Sequence, residues 1–486
     1  MTTDAKPLHV ADAVPAALPD GFQVQIDLHC ARDGDLRYLV GGSPTRLIRL
    51  SDAALGMTSA DGRIEVCDAP TRQLARRLLD SGIAHPRPMS GPSTDSVTIV
   101  VPVRDNQSGV DRLLRAVAGT RVIVVDDGSA QPITVTGEGV VVIRLDDNRG
   151  PAAARNVGAA AATTEFIAFL DSDVVPRPDW LVMLLAHFSD PQVAAVAPRI
   201  IGLSRSALAG ATWSSRRRSI AERYENGYSS LDMGPAEAAV APGTRIPYVP
   251  SAAIVLRRSA FSGFDESTRV AEDVDLCWRL HEAGWRIRYD PVAAVAHDHR
   301  TGIRKVLDRR RFYGTGAAFL AKRHGTQAAP AVMTVSMAVA LAALLTRTRI
   351  GAVIALIVLG RMSLRLRGRL GELPQAFWVS AQMTTRATFF GIMQVAGAVC
   401  RHYWPLTVLL SVISPRFRRL VIELAVAEGL VEWVRRVVAE PSVMPTLGPL
   451  SFLLLRRLDD LAYGAGLWQG VIGHRDLTAL RPVLIP

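Results

Sequence analysis

The sequence predicts an α/β protein whose central domain contains a mostly parallel sheet. From residue 97 onward, apolar runs typical of buried strands alternate with helical segments, as in VTIVVPV, DRLLRAVAG and RVIVVDD. Three of the strand-like runs are followed by charged residues: Arg104 and Asp105, Asp126 and Asp127, and Asp171 and Asp173. Because the carboxyl ends of parallel strands meet at one edge, where ligands bind in folds of this class, the pattern also predicts a polar site there.

Composition divides the chain into five segments. Residues 1–20 are rich in Ala, Pro and Asp and are predicted to be disordered. Residues 21–90 combine short strands with two helices that begin at Ser or Thr caps, which predicts a small separate domain. Residues 91–96 form a linker by composition, residues 97–325 form the central α/β domain, and residues 326–486 form a helical region.

The distribution of charge and apolar residues favours a membrane surface as a partner. The net charge is +11, and basic residues concentrate in 300–323 and 347–369, next to apolar runs. That placement favours anionic lipid over nucleic acid. The apolar run at 329–346 is about the minimum length for a bilayer span, and the run at 376–400 contains Arg386. Both therefore favour helices that lie in the membrane interface over helices that cross the bilayer. We expect the protein to lie at the cytoplasmic side of the cell membrane. The alternative is a soluble helical domain and a cytoplasmic location.

A pair of carboxylates follows the strand EFIAFL. Asp171 and Asp173 alternate along an extended chain, so both are expected on the same side. Such hard oxygen ligands suit Mg²⁺ or Mn²⁺ bridging two phosphates of a nucleotide, and Asp171 and Ser172 are expected to touch the same ligand. His297 ends a later strand-like run and is either a third metal ligand or a structural histidine.

Further polar residues are expected at the same edge of the sheet. Asp126 and Asp127 end the second strand and either bond a uracil or ribose or cap the following loop. Pro102 and Arg104 close the first strand and are expected to line the nucleotide-sugar site. Arg155 lies on a small-residue helix, where its guanidinium can bind phosphates in a bidentate manner or remain a surface side chain.

A cluster of acids begins a helix in VAEDVDLCWRLHEAGW. Glu272, Asp273 and Asp275 complement the helix dipole, which is an ordinary role for acids at a helix start. Three acids within four residues exceed what capping requires. A carboxylate whose pKa is raised by its neighbours can act as a general base, and we assign that role to Asp273 first and to Glu272 second.

The central region resembles the family 2 glycosyltransferases of the GT-A fold, which transfer sugars from nucleotide diphosphates. The resemblance implies an inverting, metal-dependent transfer in which Asp127 contacts the base of the nucleotide. It also implies that Asp171 and Asp173 hold the divalent cation and that Asp273 is the base. The segment RRRFYGTG differs from the QxxRW signature of processive members, which argues against processive synthesis through that device. The elements that match, in order, are VTIVVPVRDN, VVDDGS, NRGPAAARNVG, FLDSD and EDVDLCWRL.

The N-terminal segment, with RLIRLSDAA and LARRLLDSGI, is similar to PqqD-like winged-helix domains, which recognise peptides. Together the two regions resemble the glycosyltransferases of the mycofactocin system. This resemblance implies transfer of glucose from UDP-glucose to premycofactocin, a peptide-derived redox cofactor, to build a β-linked oligoglucoside. One alternative is a membrane-bound enzyme that makes cell-wall glycan or glycolipid. Another is an inactive scaffold, although intact Asp171, Asp173 and Asp273 argue against it.

Overall fold

The computed structural model describes residues 17–32, 36–87, 90–203, 219–298, 302–371, 373, 375–439 and 447–486. Most of the N-terminal segment expected to be disordered, residues 1–16, therefore lies outside the described residues. The chain divides into two compact units. We call Met1–Arg216 with Tyr228–His299 the sheet unit, and Arg217–Gly227 with Arg300–Pro486 the helical unit.

The N-terminal part of the sheet unit consists of two small antiparallel sheets and two helices. Its second helix begins at Asp68, whose carboxylate accepts a hydrogen bond from the Thr71 backbone in a reciprocal capping box. Val24, Ile64 and Leu78 are buried in its apolar core. The similarity of this part to a winged helix stays a prediction. Its elements are β1 (Gln23–Ile26), β2 (Ala31–Arg32), β3 (Tyr38–Gly41), β4 (Arg46–Arg49), α1 (Asp52–Gly56), β5 (Arg63–Glu65), α2 (Ala69–Asp80) and β6 (Ala84–Pro86).

The remainder of the sheet unit is organised around a mixed sheet, which has nine strands in the part of the chain that the structure describes. Eight strands follow one another in the order β11-β15-β12-β14-β10-β7-β8-β9, and β13 pairs with β15. They are β7 (Val97–Val103), β8 (Arg121–Asp127), β9 (Val140–Leu145), β10 (Phe166–Leu170), β11 (Val174–Pro176), β12 (Val193–Gly202), β13 (Ala238–Val240), β14 (Ala253–Arg257) and β15 (Arg286–His297).

The two halves of this sheet differ in strand direction. Strands β10, β7, β8 and β9 are mutually parallel, which confirms the predicted parallel sheet for the half that begins the domain. In the other half β14 is antiparallel to both neighbours, and β11 and β13 are antiparallel to β15. The sequence does not distinguish these strands, because a strand buried on both faces is a continuous apolar run in either direction.

Helices cover the sheet and bring the strand ends into position. Helix α4 packs closely on β7 and β8 because residue 158 is glycine: a Cβ there would lie 2.3 Å from Val100 Cγ1. This close approach fixes the start of α4 above the carboxyl ends of both strands. The helices of this half are α3 (Gln107–Ala116), α4 (Pro151–Ala161), α5 (Trp180–Ala186) and α7 (Glu272–Glu282).

The helical unit has a core in which two long helices cross at glycines. A Cβ on Gly466 would lie 1.8 Å from the carbonyl oxygen of Arg311, so the backbones of α8 and α14 touch directly. A short parallel pair, β16 (Val332–Thr334) and β17 (Val483–Ile485), lies beside them. The helices are α6 (Ile220–Gly227), α8 (Ile303–His324), α9 (Val335–Leu345), α10 (Arg349–Leu370), α11 (Ala376–Gly397), α12 (Trp404–Ile413), α13 (Pro415–Ala439) and α14 (Pro449–His474).

Large apolar side chains remain exposed on the helical unit. Ile350 on α10, Trp378 on α11 and Val412 on α12 are 74%, 69% and 74% exposed. Among the described residues, none of the helices combines the length and the apolar character that crossing a bilayer requires.

Candidate active site

The loops that follow β7, β8 and β10 are tied together by side-chain hydrogen bonds. The backbone N–H of Asp105 donates to Ser129 Oγ at 2.9 Å, and the Ala130 N–H donates to the Asp105 carboxylate at 2.8 Å. Asn106 Nδ2 donates to Ser172 Oγ at 3.0 Å. The three strand ends that the sequence expects at one edge therefore do meet there. Ser129 and Asn106 were not singled out from the sequence, although each belongs to a polar turn directly after a strand.

Two residues predicted to line the nucleotide-sugar site lie at the end of β7. Pro102 is buried within the strand, opposite Val125 of β8. Arg104 follows the strand with its side chain 51% exposed, and its Nε lies 3.5 Å from Asp105. The guanidinium is thus held loosely at an open edge of the sheet. Its contact with a ligand stays a prediction.

Asp126 is fully buried at the end of β8. Its carboxylate accepts hydrogen bonds from the Ser129 and Ile133 backbone N–H groups at 2.9 and 3.2 Å, and from Arg144 at 2.5 Å. Burial alone would raise the pKa of Asp126, but a hydrogen bond from the Ser129 side chain, together with these hydrogen bonds, outweighs burial and holds the pKa below its ordinary value. The buried carboxylate therefore fixes the conformation of the loop after β8.

Asp127, the next residue, is 5% exposed and faces the entry to α4. One carboxylate oxygen accepts from the Arg149 N–H at 2.7 Å and the other from the Gly150 N–H at 2.9 Å. Gly150 has a φ of +92°, a conformation that glycine adopts without strain. Asp127 thus joins β8 to the start of α4, and its predicted contact with the nucleotide base stays a prediction.

Arg155 is at the centre of a buried cluster of charges. Its guanidinium is 3% exposed and donates to Asp171 Oδ1 at 2.7 Å and to Glu272 Oε1 at 3.0 Å. Burial would lower the pKa of Arg155, but Asp171 and Glu272 raise it above its ordinary value. The side chain therefore links α4, the end of β10 and the start of α7. Its predicted contact with phosphates stays a prediction.

Asp273 follows Glu272 in the first turn of α7. The residue before this turn, Ala271, has a φ of +65°, a strained conformation for a residue with a Cβ. Burial, and secondarily the charge of Glu272, raises the pKa of Asp273 to about 7. Backbone N–H groups of Val274 and Ser251 and the charge of Arg155 act in the opposite direction. A carboxyl group that titrates near neutrality suits proton transfer.

Asp173 and His297 form a second group at this edge of the sheet. Antiparallel pairing of β11 with β15 sets Val174 opposite His297 and brings His297 Nε2 to 3.4 Å from Asp173 Oδ2. A carboxylate that is 37% exposed beside an imidazole is a donor set that Mn²⁺ or Mg²⁺ accepts, so these residues fit a divalent cation. Among the described residues, no cluster of three or more His, Cys, Asp and Glu has metal-binding geometry.

Comparison with known proteins identifies the chemistry of this edge. The model of the family "Glycosyl transferase family 2" matches residues 98–262, which begin in β7 and include Asp126, Asp127, Asp171 and Asp173. The chain is 47% identical over 473 residues to the pre-mycofactocin glycosyltransferases of two strains of Mycobacterium tuberculosis. That alignment covers 96% of this chain and 98% of each relative.

Similar solved structures include a mannosyltransferase from Pyrobaculum calidifontis in complex with GDP-Man and Mn²⁺. It has a TM-score of 0.34 and 16% identity, over 62% of this chain and 87% of that chain. GalNAc-T7 with UDP, GalNAc and Mn²⁺ has a TM-score of 0.33 and 14% identity, over 49% of this chain and 53% of that chain.

The parallel strands, the acids at their carboxyl ends and the family match define a glycosyltransferase of family 2. The identity to the Mycobacterium tuberculosis relatives extends well beyond the matched region, into the N-terminal and helical parts. The chain belongs to the family of pre-mycofactocin glycosyltransferases.

Proposed function

We propose that this glycosyltransferase transfers glucose from UDP-glucose to a hydroxyl group of premycofactocin and repeats the transfer to build a β-linked oligoglucoside. The observation that supports it most is the identity of 47% across 96% of the chain to proteins named for that acceptor. The raised pKa of Asp273, at the edge where donor sites lie in such folds, supports the chemistry.

The proposed reaction is a single displacement. The carboxylate of Asp273 takes the proton of the acceptor hydroxyl as the hydroxyl oxygen attacks the anomeric carbon of glucose. The bond from that carbon to the phosphate oxygen breaks on the opposite face, so the configuration inverts and UDP leaves. Arg155 supports the step indirectly, because it holds Asp171 and Glu272 in place and its charge keeps the pKa of Asp273 from rising further.

The donor is proposed to lie along the ends of β7, β8 and β10. Asp127 would contact the uracil, and Arg104 is the exposed cation nearest the end of β7 that could reach a phosphate. Asp173 and His297, with Asp171, would hold Mg²⁺ or Mn²⁺. When bound, such a cation neutralises the charge that develops on the departing diphosphate.

The first experiment is a transfer screen on the purified full-length protein. It would be incubated with Mn²⁺ or Mg²⁺, a panel of UDP- and GDP-sugars and premycofactocin, and mass spectrometry would follow hexose addition. A ladder of hexose additions from UDP-glucose alone is expected, and much slower addition with Asp273→Asn. Addition from a different donor would overturn the glucose assignment. Metal-dependent hydrolysis of UDP-sugars without transfer would instead move the acceptor to a lipid or to cell-wall glycan.

That alternative has one observation in its favour, the exposed apolar surface of the helical unit. We also propose that this surface binds anionic lipid on the cytoplasmic side of the cell membrane. Exposed arginines at the end of α10, Arg365, Arg367 and Arg369, stand on a helix that also exposes Ile350 and Leu356. Basic and apolar side chains together are typical of helices that lie in a lipid interface.

Sedimentation with vesicles tests this binding. Vesicles of phosphatidylcholine with phosphatidylglycerol are expected to retain the protein, and vesicles of phosphatidylcholine alone to retain less. The variant Trp378→Glu should weaken retention, whereas Val141→Glu, at an exposed apolar residue of the sheet unit, serves as the matched control. Equal recovery in the supernatant with both vesicle types would contradict the proposal.

A further inference from the structure

A cavity of about 380 Å³ lies in the sheet unit, away from the acids described above. It is bounded by α2 of the N-terminal part and by the first residues of β15. Asp190, Ala239 of β13 and Trp285 complete its wall. Because Arg286 and Arg288 are two residues apart on a strand, both side chains project to the same side of β15, and both line the cavity.

Arg288 is the distinctive residue of this cavity. It is only 6% exposed, and among the residues that the structure describes its guanidinium has neither a hydrogen-bond acceptor nor an ion-pair partner. Burial lowers the pKa of Arg288 below its ordinary value, against the opposing charges of Glu237 and Asp190. A guanidinium that is largely removed from water and has no acceptor is unfavourable, because its donors have lost much of their hydration without gaining a protein acceptor.

The carboxylates around Arg288 are already bound to other side chains. The three that influence its charge state are Glu237, Asp190 and Asp290. Each makes a close ion pair with a different residue, so none is available to turn toward Arg288 without breaking that pair. The pairs are Arg87 with Glu237 at 2.7 Å, Arg76 with Asp190 at 2.7 Å and His187 with Asp290 at 2.8 Å.

The lining of the cavity as a whole carries excess positive charge. Four arginines and two aspartates line it, so two positive charges lack a partner there. An adjoining groove between β4 and α2, lined by Arg46, Arg76 and Arg77 and by the single acid Asp80, shares residues with the cavity. Positive walls along a groove and a deeper cavity attract and retain anions.

The cavity is distinct from the candidate active site. Arg288 lies near the first residue of β15, and His297 is its last residue. Their partners on β12, Val196 and Gly202, are six residues apart, so at a rise of about 3.3 Å per residue the two are separated by roughly 20 Å. A ligand at Arg288 therefore cannot be the nucleotide-sugar donor bound at the carboxyl edge.

We propose that this cavity binds a small organic anion, whose carboxylate or phosphate lies against the guanidinium of Arg288. The planar fork of an arginine matches both groups in a bidentate manner. The body of the ligand would pack against Trp285, Leu79 and Ile287, which are apolar residues of the lining. A volume of about 380 Å³ accommodates an acid with a single aromatic ring.

Titration calorimetry on the full-length protein tests the proposal with four probes. Phenylacetate and phenyl phosphate supply the two anionic groups on an apolar ring, inorganic phosphate supplies the anion alone, and benzyl alcohol supplies a neutral ring. Saturable binding of at least one ring-bearing anion, tighter than that of benzyl alcohol, is expected. Whether phenylacetate or phenyl phosphate binds more tightly identifies the anionic group, and weaker binding of inorganic phosphate would indicate that the apolar wall contributes.

Variants at Arg288 decide whether the binding is at this cavity. Arg288→Met is expected to lower the affinity at least tenfold, and Arg288→Lys, which keeps the charge but not the fork, to lower it less. Arg77→Met, in the adjoining groove, is the matched control and should change the affinity less than either. Thermal unfolding of each variant checks that it folds. Equal binding by wild type and Arg288→Met, or no saturable binding of any anion up to about 10 mM, overturns the proposal.

Discussion

Arg155 and Arg288 are two arginines buried in the same unit, 3% and 6% exposed, with opposite surroundings. Arg155 makes close ion pairs with Asp171 and Glu272, and these acids raise its pKa. Arg288 makes no such pair among the described residues, and burial lowers its pKa. The comparison teaches that burial of a charge does not reveal its role. What distinguishes the two residues is whether the protein itself provides the opposite charge.

Where the opposite charge is present, the arginine positions the groups that react. Arg155 fixes two carboxylates, Asp171 and Glu272, which are adjacent in sequence to the site residues Ser172 and Asp273. Where the opposite charge is missing, we infer that a ligand provides it. The two ends of β15 thus differ in sign, with acids near His297 and an excess of arginines near Arg288.

The largest expected effect concerns the residue that the Arg155 cluster surrounds. Asp273→Asn removes the proposed base, so kcat should fall by about 10²–10⁴-fold. Since folding raises the pKa of Asp273 to about 7, the carboxyl group stabilises the fold below its unfolded pKa and loses that contribution as the pH rises through 7. The variant should therefore unfold at the same or a higher temperature than wild type at pH 8. Unchanged transfer kinetics would remove Asp273 from the mechanism.

The next effect tests how much the buried ion pairs of Arg155 contribute to stability. Arg155→Met leaves Asp171 and Glu272 without their cation, which should lower the free energy of unfolding by about 3–5 kcal/mol. The control is Arg149→Met, whose ion pair with Glu266 is half-exposed and should contribute at most about 1 kcal/mol. Urea denaturation of both variants measures the difference. Similar losses in the two variants would mean that the buried pairs of Arg155 are no stronger than a surface pair.

A smaller effect of opposite sign is expected at the other arginine. Arg288→Met removes a buried, unpaired charge, so without added anion the free energy of unfolding should rise by about 1–2 kcal/mol. The transferase activity should be unchanged, because Arg288 lies far from the candidate active site. Urea denaturation with and without a saturating anion measures this gain, which should shrink when wild type is bound. A destabilised variant would indicate that Arg288 contributes to packing instead.

The smallest effect is a change in the pH dependence of transfer. Because the base must be unprotonated, kcat/KM should rise with pH through a midpoint near 7, the pKa of Asp273 in the free enzyme. Glu272 raises that pKa by its charge, so Glu272→Gln should move the midpoint to lower pH. Rate profiles for both proteins measure the change. A midpoint that stays in place would show that Glu272 does not influence the base.

Much of the catalytic half was predictable from local patterns. Apolar runs that end in Asp126–Asp127 and Asp171–Asp173 predict both strands and the edge at which the acids meet, because strand direction and connection rules fix that geometry. The pairing of Arg155 with Glu272 was not predictable, since the two are 117 positions apart and meet only through the fold. The proximity of Asp173 and His297 was not predictable either, because it depends on the antiparallel pairing of β11 with β15, for which the sequence has no local signal.

The lack of a carboxylate partner for Arg288 among the described residues could not be predicted from the sequence, for a different reason. The segment RIRYDPVAAVAH predicts a strand, but the sequence does not reveal which of its arginines finds a carboxylate. Arg286 binds Asp80, while Arg288, two residues later, is left without one among the described residues. The assignment depends on where α2 of the N-terminal part lies, and distant packing of that kind has no local signal.

Helix α6 belongs to the helical unit although the chain enters and leaves it from the sheet unit. Tyr224 of α6 donates to Asp459 of α14 at 3.1 Å, and Glu225 pairs with Arg310 of α8 at 3.2 Å. The order of synthesis follows from this. A ribosome has made α6 more than two hundred residues before Asp459, so the hydrogen bond from Tyr224 can form only after the sheet unit is completed. A chain truncated after residue 325 would keep Arg310 as the partner of Glu225 but would lack Asp459, the acceptor of this hydrogen bond.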